Sequence, residues 1–186
     1  MSAGTAAAGG RWRRDLRLPA LAATVLAVAG GGWLLERAAA PDPAAARHAH
    51  AERKLAEEID NRFRQGVVML HARQYEHAMT AFHRVLQLSP RMPEAHVNAG
   101  FALVGLQRHR EARDFFEAAT ALRPGQVNAY YGLAVALEGL GDLEAASGAM
   151  RTYLHLAPGE DPYRRKAEAA LWEWQARRES AAGKRP

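Results

Sequence analysis

Proline recurs at Pro90, Pro124 and Pro158, two successive intervals of 34 residues, and much of the chain is phased to that interval. Leucine stands two residues before each proline (Leu88, Leu122, Leu156), and alanine stands twelve before it (Ala78, Ala112, Ala146). Four residues after each alanine comes a large apolar side chain: Phe82, Phe116, Met150. A tiny residue lies 24 positions ahead of each proline: Gly66, Gly100, Ala134. Only nine of the 186 residues are proline, so composition does not produce four features at one period. A repeat of this length is one helix–turn–helix unit, too small to bury its own apolar face, and it folds by stacking on copies of itself.

These residues resemble the tetratricopeptide repeat (TPR) family, whose pattern is W-x2-L-G-x2-Y…A-x3-F…P. The third unit meets it with Tyr130, Leu133, Ala134, Leu137, Ala146, Met150 and Pro158. The second has Gly100, Leu103, Ala112, Phe116 and Pro124, and the first has Gly66, Met69, Ala78, Phe82 and Pro90. Arg62 and His96 replace the early aromatic in the first two units, so looser packing is expected at that corner. The resemblance implies an all-α right-handed superhelix of three repeats, at 59–92, 93–126 and 127–160. It fixes no activity, because function belongs to sites rather than folds.

The N-terminal third has a different character. Arg11, Arg13, Arg14 and Arg17 precede an uncharged run from Leu18 to Leu35, with Trp12 and Trp33 near its ends. Eighteen residues of helix span about 27 Å, near the thickness of a bilayer core. Residues 16–37 are therefore expected to form a transmembrane anchor behind a flexible tail, 1–15. The arginine bias puts the N-terminus in the cytoplasm and the repeats across the membrane, as a single-pass inner-membrane protein with periplasmic repeats. A cleaved signal peptide is the alternative, with Ala27-Val28-Ala29 as a small-residue cleavage site; it places the repeats on the same side. A buried soluble helix fits less well, since Gly30, Gly31 and Gly32 each cost roughly 1 kcal/mol in one.

Residues 38–58 read as a linker and spacer helix, opened by Asp42 as N-cap and Pro43 in the first turn. After Pro158, Tyr163, Ala167, Ala170, Leu171 and Trp174 mark one apolar face of a helix at 161–179, expected to cap the stack. Trp172 lies off that face, so it is either exposed or part of an interface. Residues 180–186 read as a disordered tail. Gly141-Asp142 has good chemistry for the turn inside the third repeat, and Arg73-Gln74 and Arg108-His109 fill the equivalent places less well.

The net charge of +5 divides as +3 over residues 1–37, −1 over 38–58, +1 over 59–158 and +2 over 159–186. A nearly neutral folded body argues against nucleic acid as a partner. The absence of cysteine excludes disulfides and thiolate chemistry. No two of the eight histidines have the three- or four-residue spacing of a helical metal pair. No phosphate loop, nucleophile elbow or carboxylate pair appears, so no catalytic residue, metal or cofactor is expected.

The TPR resemblance implies a concave groove lined by the first helix of each repeat. Carried onto this chain, its central residues are Phe63, Val67, Val97, Asn98, Phe101, Asn128, Tyr131 and Val135. Asparagine in such a groove can hold an extended peptide backbone with one donor and one acceptor. The basic carboxylate clamp of chaperone-binding TPR domains is not reproduced: the matching places hold Phe63, Val67, Asn98, Asn128 and Gly132, and only Asn98 agrees. A non-enzymatic adaptor that binds a partner protein or peptide is the expected function, resembling envelope assembly factors such as those of cytochrome c maturation. Self-assembly into a homodimer is the alternative, and the groove is either open to a ligand or covered by the chain's own helices.

Overall fold

The computed structural model describes residues 42–182. They form seven α-helices: α1 (Pro43–His71), α2 (Tyr75–Leu88), α3 (Pro93–Gly105), α4 (His109–Leu122), α5 (Val127–Gly139), α6 (Leu143–Leu156) and α7 (Arg164–Ala182). The expected anchor, 16–37, and the tail before it lie outside the described residues. Among the described residues no helix is long and apolar enough to cross a membrane. The chain divides into two units at His50 and Ala51. The described part of the first is the start of α1, where Asp42 caps the helix by accepting the Ala44 N–H at 2.9 Å. The second carries the repeats.

Within the second unit the helices pair as α1/α2, α3/α4 and α5/α6, and each pair stacks on the next. The first helix of each unit supplies a tiny residue, and the second supplies an alanine and a large apolar side chain. Ala78, Ala112 and Ala146 are fully buried, as are Phe82 and Phe116, with Met150 nearly so. A Cβ built on Gly66 would stand 2.6 Å from Phe82 Cε1, and one on Gly100 would stand 2.7 Å from Phe116 Cε1. In the third unit Ala134 shares a core cluster with Met150 instead. The pairs conserve volume: a rigid ring requires glycine opposite, whereas a flexible thioether accommodates the extra methyl.

The turn inside each unit is one structure repeated three times. Arg73, Gln107 and Gly141 each adopt positive φ, at 58°, 60° and 81°. The next residue's N–H reaches back five positions: Gln74 to Met69 O at 2.9 Å, Arg108 to Leu103 O at 2.9 Å, and Asp142 to Leu137 O at 3.0 Å. This 6→1 bond defines a Schellman motif, which satisfies carbonyls left open at a helix end and places a left-handed residue just past it. The second turn therefore centres on Gln107-Arg108, one residue earlier than the sequence pairing Arg108-His109. No glycine marks it, and the register has to be taken from the repeat period. Only the third turn adds a side-chain cap, Asp142 accepting the Ala145 N–H at 3.0 Å.

The prolines close each unit. Leu88, Leu122 and Leu156 are the last residues of α2, α4 and α6, and the proline two positions on offers no N–H to continue the ladder. α7 runs to Ala182, past the 179 expected. Its Ala167 and Trp174 are buried, and Trp174 Nε1 donates to Glu138 Oε1 at 2.7 Å. Tyr163, expected on this apolar face, instead precedes the helix and is 57% exposed. Its N–H is taken by Asp161 Oδ1 at 2.8 Å, which holds the loop in a tight turn ahead of α7.

Candidate functional site

A cleft of about 520 Å³ opens among the first helices of the three units. Its first-unit wall is made by Leu70 and His71 at the end of α1, Arg73 in the turn that follows, and Tyr75 at the start of α2. Asn98 and Phe101 of α3 form the floor. Asn128 and Tyr131 of α5, with Tyr153 of α6 and Tyr163 of the following loop, form the far wall. Four of the eight residues expected to line the groove therefore come together there: Asn98, Phe101, Asn128 and Tyr131.

The other four lie elsewhere. Val97 is 4% exposed and belongs to the core around Phe116 and Ala129. The middle repeat is covered from both sides, so this groove position becomes interior. Phe63 meets Phe82 edge-on, with centroids 5.9 Å apart, and Val67 packs on the same first-unit cluster. Val135 is half-buried in α5 and is not among the cleft-lining residues. The apolar strip expected along the whole concave face is thus partly core and partly cleft.

Aromatic rings carry the far wall. Tyr131 lies 5.3 Å from Tyr153 and 5.7 Å from Tyr163, both inclined rather than stacked. Phe101 meets Phe116 edge-on at 5.1 Å, so the floor rests directly on the core. Tyr153 donates its hydroxyl to Asp161 at 2.5 Å. Burial, then that hydrogen bond, push its phenol well above the ordinary tyrosine range, so the ring stays neutral and fixed. Arg164 adds a tie, its guanidinium donating to the Leu154 carbonyl at 3.1 Å. Periodicity assigns Tyr163 to the apolar face of the last helix, but it sits in the loop ahead of that helix, held by Asp161 rather than by helical phase.

Polar groups in the cleft are few. Asn98 Nδ2 donates to the Glu94 carbonyl of its own helix at 2.8 Å, leaving its side-chain oxygen as an acceptor. Asn128 is exposed and offers both a donor and an acceptor. Arg73 supplies a fixed positive charge to the lining, His71 stands beside it, and no acid faces them. Among the described residues no cluster of three or more His, Asp or Glu is arranged to hold a metal.

Two sequence models described as tetratricopeptide repeat match the chain, over residues 63–126 and 103–171. Together they span more than half of it, and the chain belongs to the tetratricopeptide-repeat family. No curated protein matches the sequence. Among solved structures it is similar to MamA from Desulfovibrio magneticus RS-1, at 27% identity and a TM-score of 0.58, over 65% of this chain and 66% of that one. The chain thus spans about two thirds of that relative. The TPR2B domain of yeast Sti1, solved in complex with an Hsp70 partner, shares the fold at 15% identity and a TM-score of 0.62, over 65% and 98% of the two chains. The second TPR domain of human RPAP3, solved with an HSP70 peptide, shares it at 21% and 0.59, over 65% and 98%.

Proposed function

We propose that this protein is an adaptor that holds an extended segment of a partner protein in the cleft between Arg73 and Tyr163, and that the N-terminal segment tethers it to a membrane with the repeats on the extracytoplasmic side. The cleft itself carries the reading: a concave site with an aromatic wall, two asparagines and a cationic rim has the composition of a ligand pocket rather than of a packed core. Its acceptors and donors suit a peptide backbone, and the three tyrosines suit one apolar or proline side chain. The peptide complexes of Sti1 and RPAP3 make such a ligand reasonable for the fold. The absence of the chaperone-type basic clamp at Phe63, Val67, Asn128 and Gly132 argues for a different peptide.

Placing a photo-crosslinking residue at the exposed Asn128 in the full chain tests this directly. A discrete partner should cross-link there and be lost when Tyr131→Ala is added. Cross-linking that is diffuse, or indifferent to Tyr131→Ala in a chain that still melts cooperatively, would overturn the groove reading. Protease protection in intact and osmotically opened cells tests the membrane side independently.

A further inference from the structure

α7 continues the 34-residue register, with Leu171 following Leu103 and Leu137, yet it does not begin a fourth repeat. The position held by Gly66, Gly100 and Ala134 is occupied in α7 by Glu168. A carboxylate there blocks the close approach that each second helix makes to its first. The outer side of α7 is therefore a finished surface, and on it Trp172 is 76% exposed. Trp172 stands at the lip of a cleft of about 940 Å³ between α6 and α7, where Glu144, Ser147, Arg151 and Leu171 form the sides.

At 100° per residue, Trp172 lies at the centre of a stripe made by Arg165, Glu168, Ala169, Gln175, Ala176 and Glu179, all exposed. This stripe is complementary to itself in reverse. Arg165 and Glu179 lie seven residues to either side of Trp172 and carry opposite charges. Ala169 and Gln175 lie three to either side, and Glu168 and Ala176 four. Two copies of α7 crossing antiparallel at Trp172 set Arg165 of each against Glu179 of the other, with small alanines beside the indoles. Such an isologous contact is what a two-fold dimer requires.

We propose that the protein forms an antiparallel homodimer through the outer face of α7, with Trp172 at the two-fold axis and Arg165–Glu179 pairs at its ends. A large exposed indole ringed by polar residues fits the centre of such an interface. The cleft beside it receives the partner's flank.

The full chain, in detergent if it is extracted from membranes, should run as a dimer by light scattering at micromolar concentration. Trp172→Ala removes both indoles from the axis and should weaken dimerisation by about 30-fold or more. Arg165→Glu and Glu179→Arg should each weaken it, and the two together should restore it. The chain has no cysteine, so pairs can be introduced cleanly: chains carrying Ala169→Cys mixed with chains carrying Gln175→Cys should form a mixed disulfide, and neither alone should cross-link efficiently. A monomer at these concentrations, an unaltered dimer in Trp172→Ala, or self-cross-linking of each single-cysteine chain would overturn the proposal. Far-ultraviolet dichroism and melting of each variant show that the fold is intact, since all these side chains are exposed.

Discussion

Gly132 of α5 faces the ring of Phe116 in α4, so closely that a Cβ there would lie 2.2 Å from Phe116 Cε1. Gly100 of α3 faces the same ring. One phenyl is thus clasped between a glycine of its own repeat and a glycine of the next, and this clasp seals the second repeat to the third. Gly132→Ala should destabilise the protein by about 1–3 kcal/mol through overpacking, measured by urea denaturation. Adding Phe116→Leu should recover part of that loss, because the smaller side chain frees the space the new methyl takes.

The turns predict a gain in stability. Arg73 and Gln107 hold left-handed backbone that disfavours any residue with a Cβ, whereas Gly141 occupies the same place in the third repeat without that penalty. Gln107→Gly and Arg73→Gly should each stabilise by roughly 0.5–1 kcal/mol, and the effects should add because the turns share no partner. Gly141→Ala should act in the opposite direction. Thermal melts of the three variants decide the matter.

Trp174 predicts the strength of the C-terminal cap. Its indole is 1% exposed and its N–H is satisfied by Glu138. Trp174→Ala should cost about 3–5 kcal/mol through the cavity it leaves. Trp174→Phe should cost less, about 1–2 kcal/mol, from the lost hydrogen bond and the smaller ring. Chemical denaturation followed by far-ultraviolet dichroism separates the two.

Tyr153 predicts an alkaline limit. Its folded-state value is raised above the ordinary 10.0 by burial first and by the Asp161 hydrogen bond second. A phenol with a raised value in the folded state contributes stability fully present below pH 10, lost as the unfolded chain ionises above it. Stability should therefore fall as pH rises through and above about 10, and Tyr153→Phe should flatten that fall at the expense of stability near neutrality. Denaturation midpoints between pH 7 and 11 measure both effects.

The repeat units are legible in the sequence because their packing is a fixed contact between two positions of one unit. Phe82 and Phe116 each meet a glycine sixteen residues earlier, and Met150 answers Ala134, so volume constraints appear as period. The second turn is misread by one residue because Gln107 does a glycine's work and leaves no chemical signature. Four of the eight residues expected in a groove, Asn98, Phe101, Asn128 and Tyr131, line the cleft because they follow the phase of their helices. Val97 is hidden by context: its helix is flanked on both sides, and phase alone does not distinguish a concave wall from a core. Tyr153 comes from α6, which the first-helix phase does not reach, and Tyr163, which period assigns to the apolar face of the last helix, lines the cleft from a loop fastened by Asp161.

The cleft takes its walls from all three repeats, from Leu70 in the first to the loop before α7. It exists only while the whole stack is closed, so capture of a ligand and closure of the stack are thermodynamically linked. A ligand at a hundred times its dissociation constant adds about 2.7 kcal/mol against any opening that breaks the cleft. Amide exchange in the empty protein should begin at the outer units, where each helix has fewer neighbours. With ligand bound, the same amides should exchange only when the whole stack opens, so that the occupied protein behaves as one cooperative body and the empty one as a row of separable units.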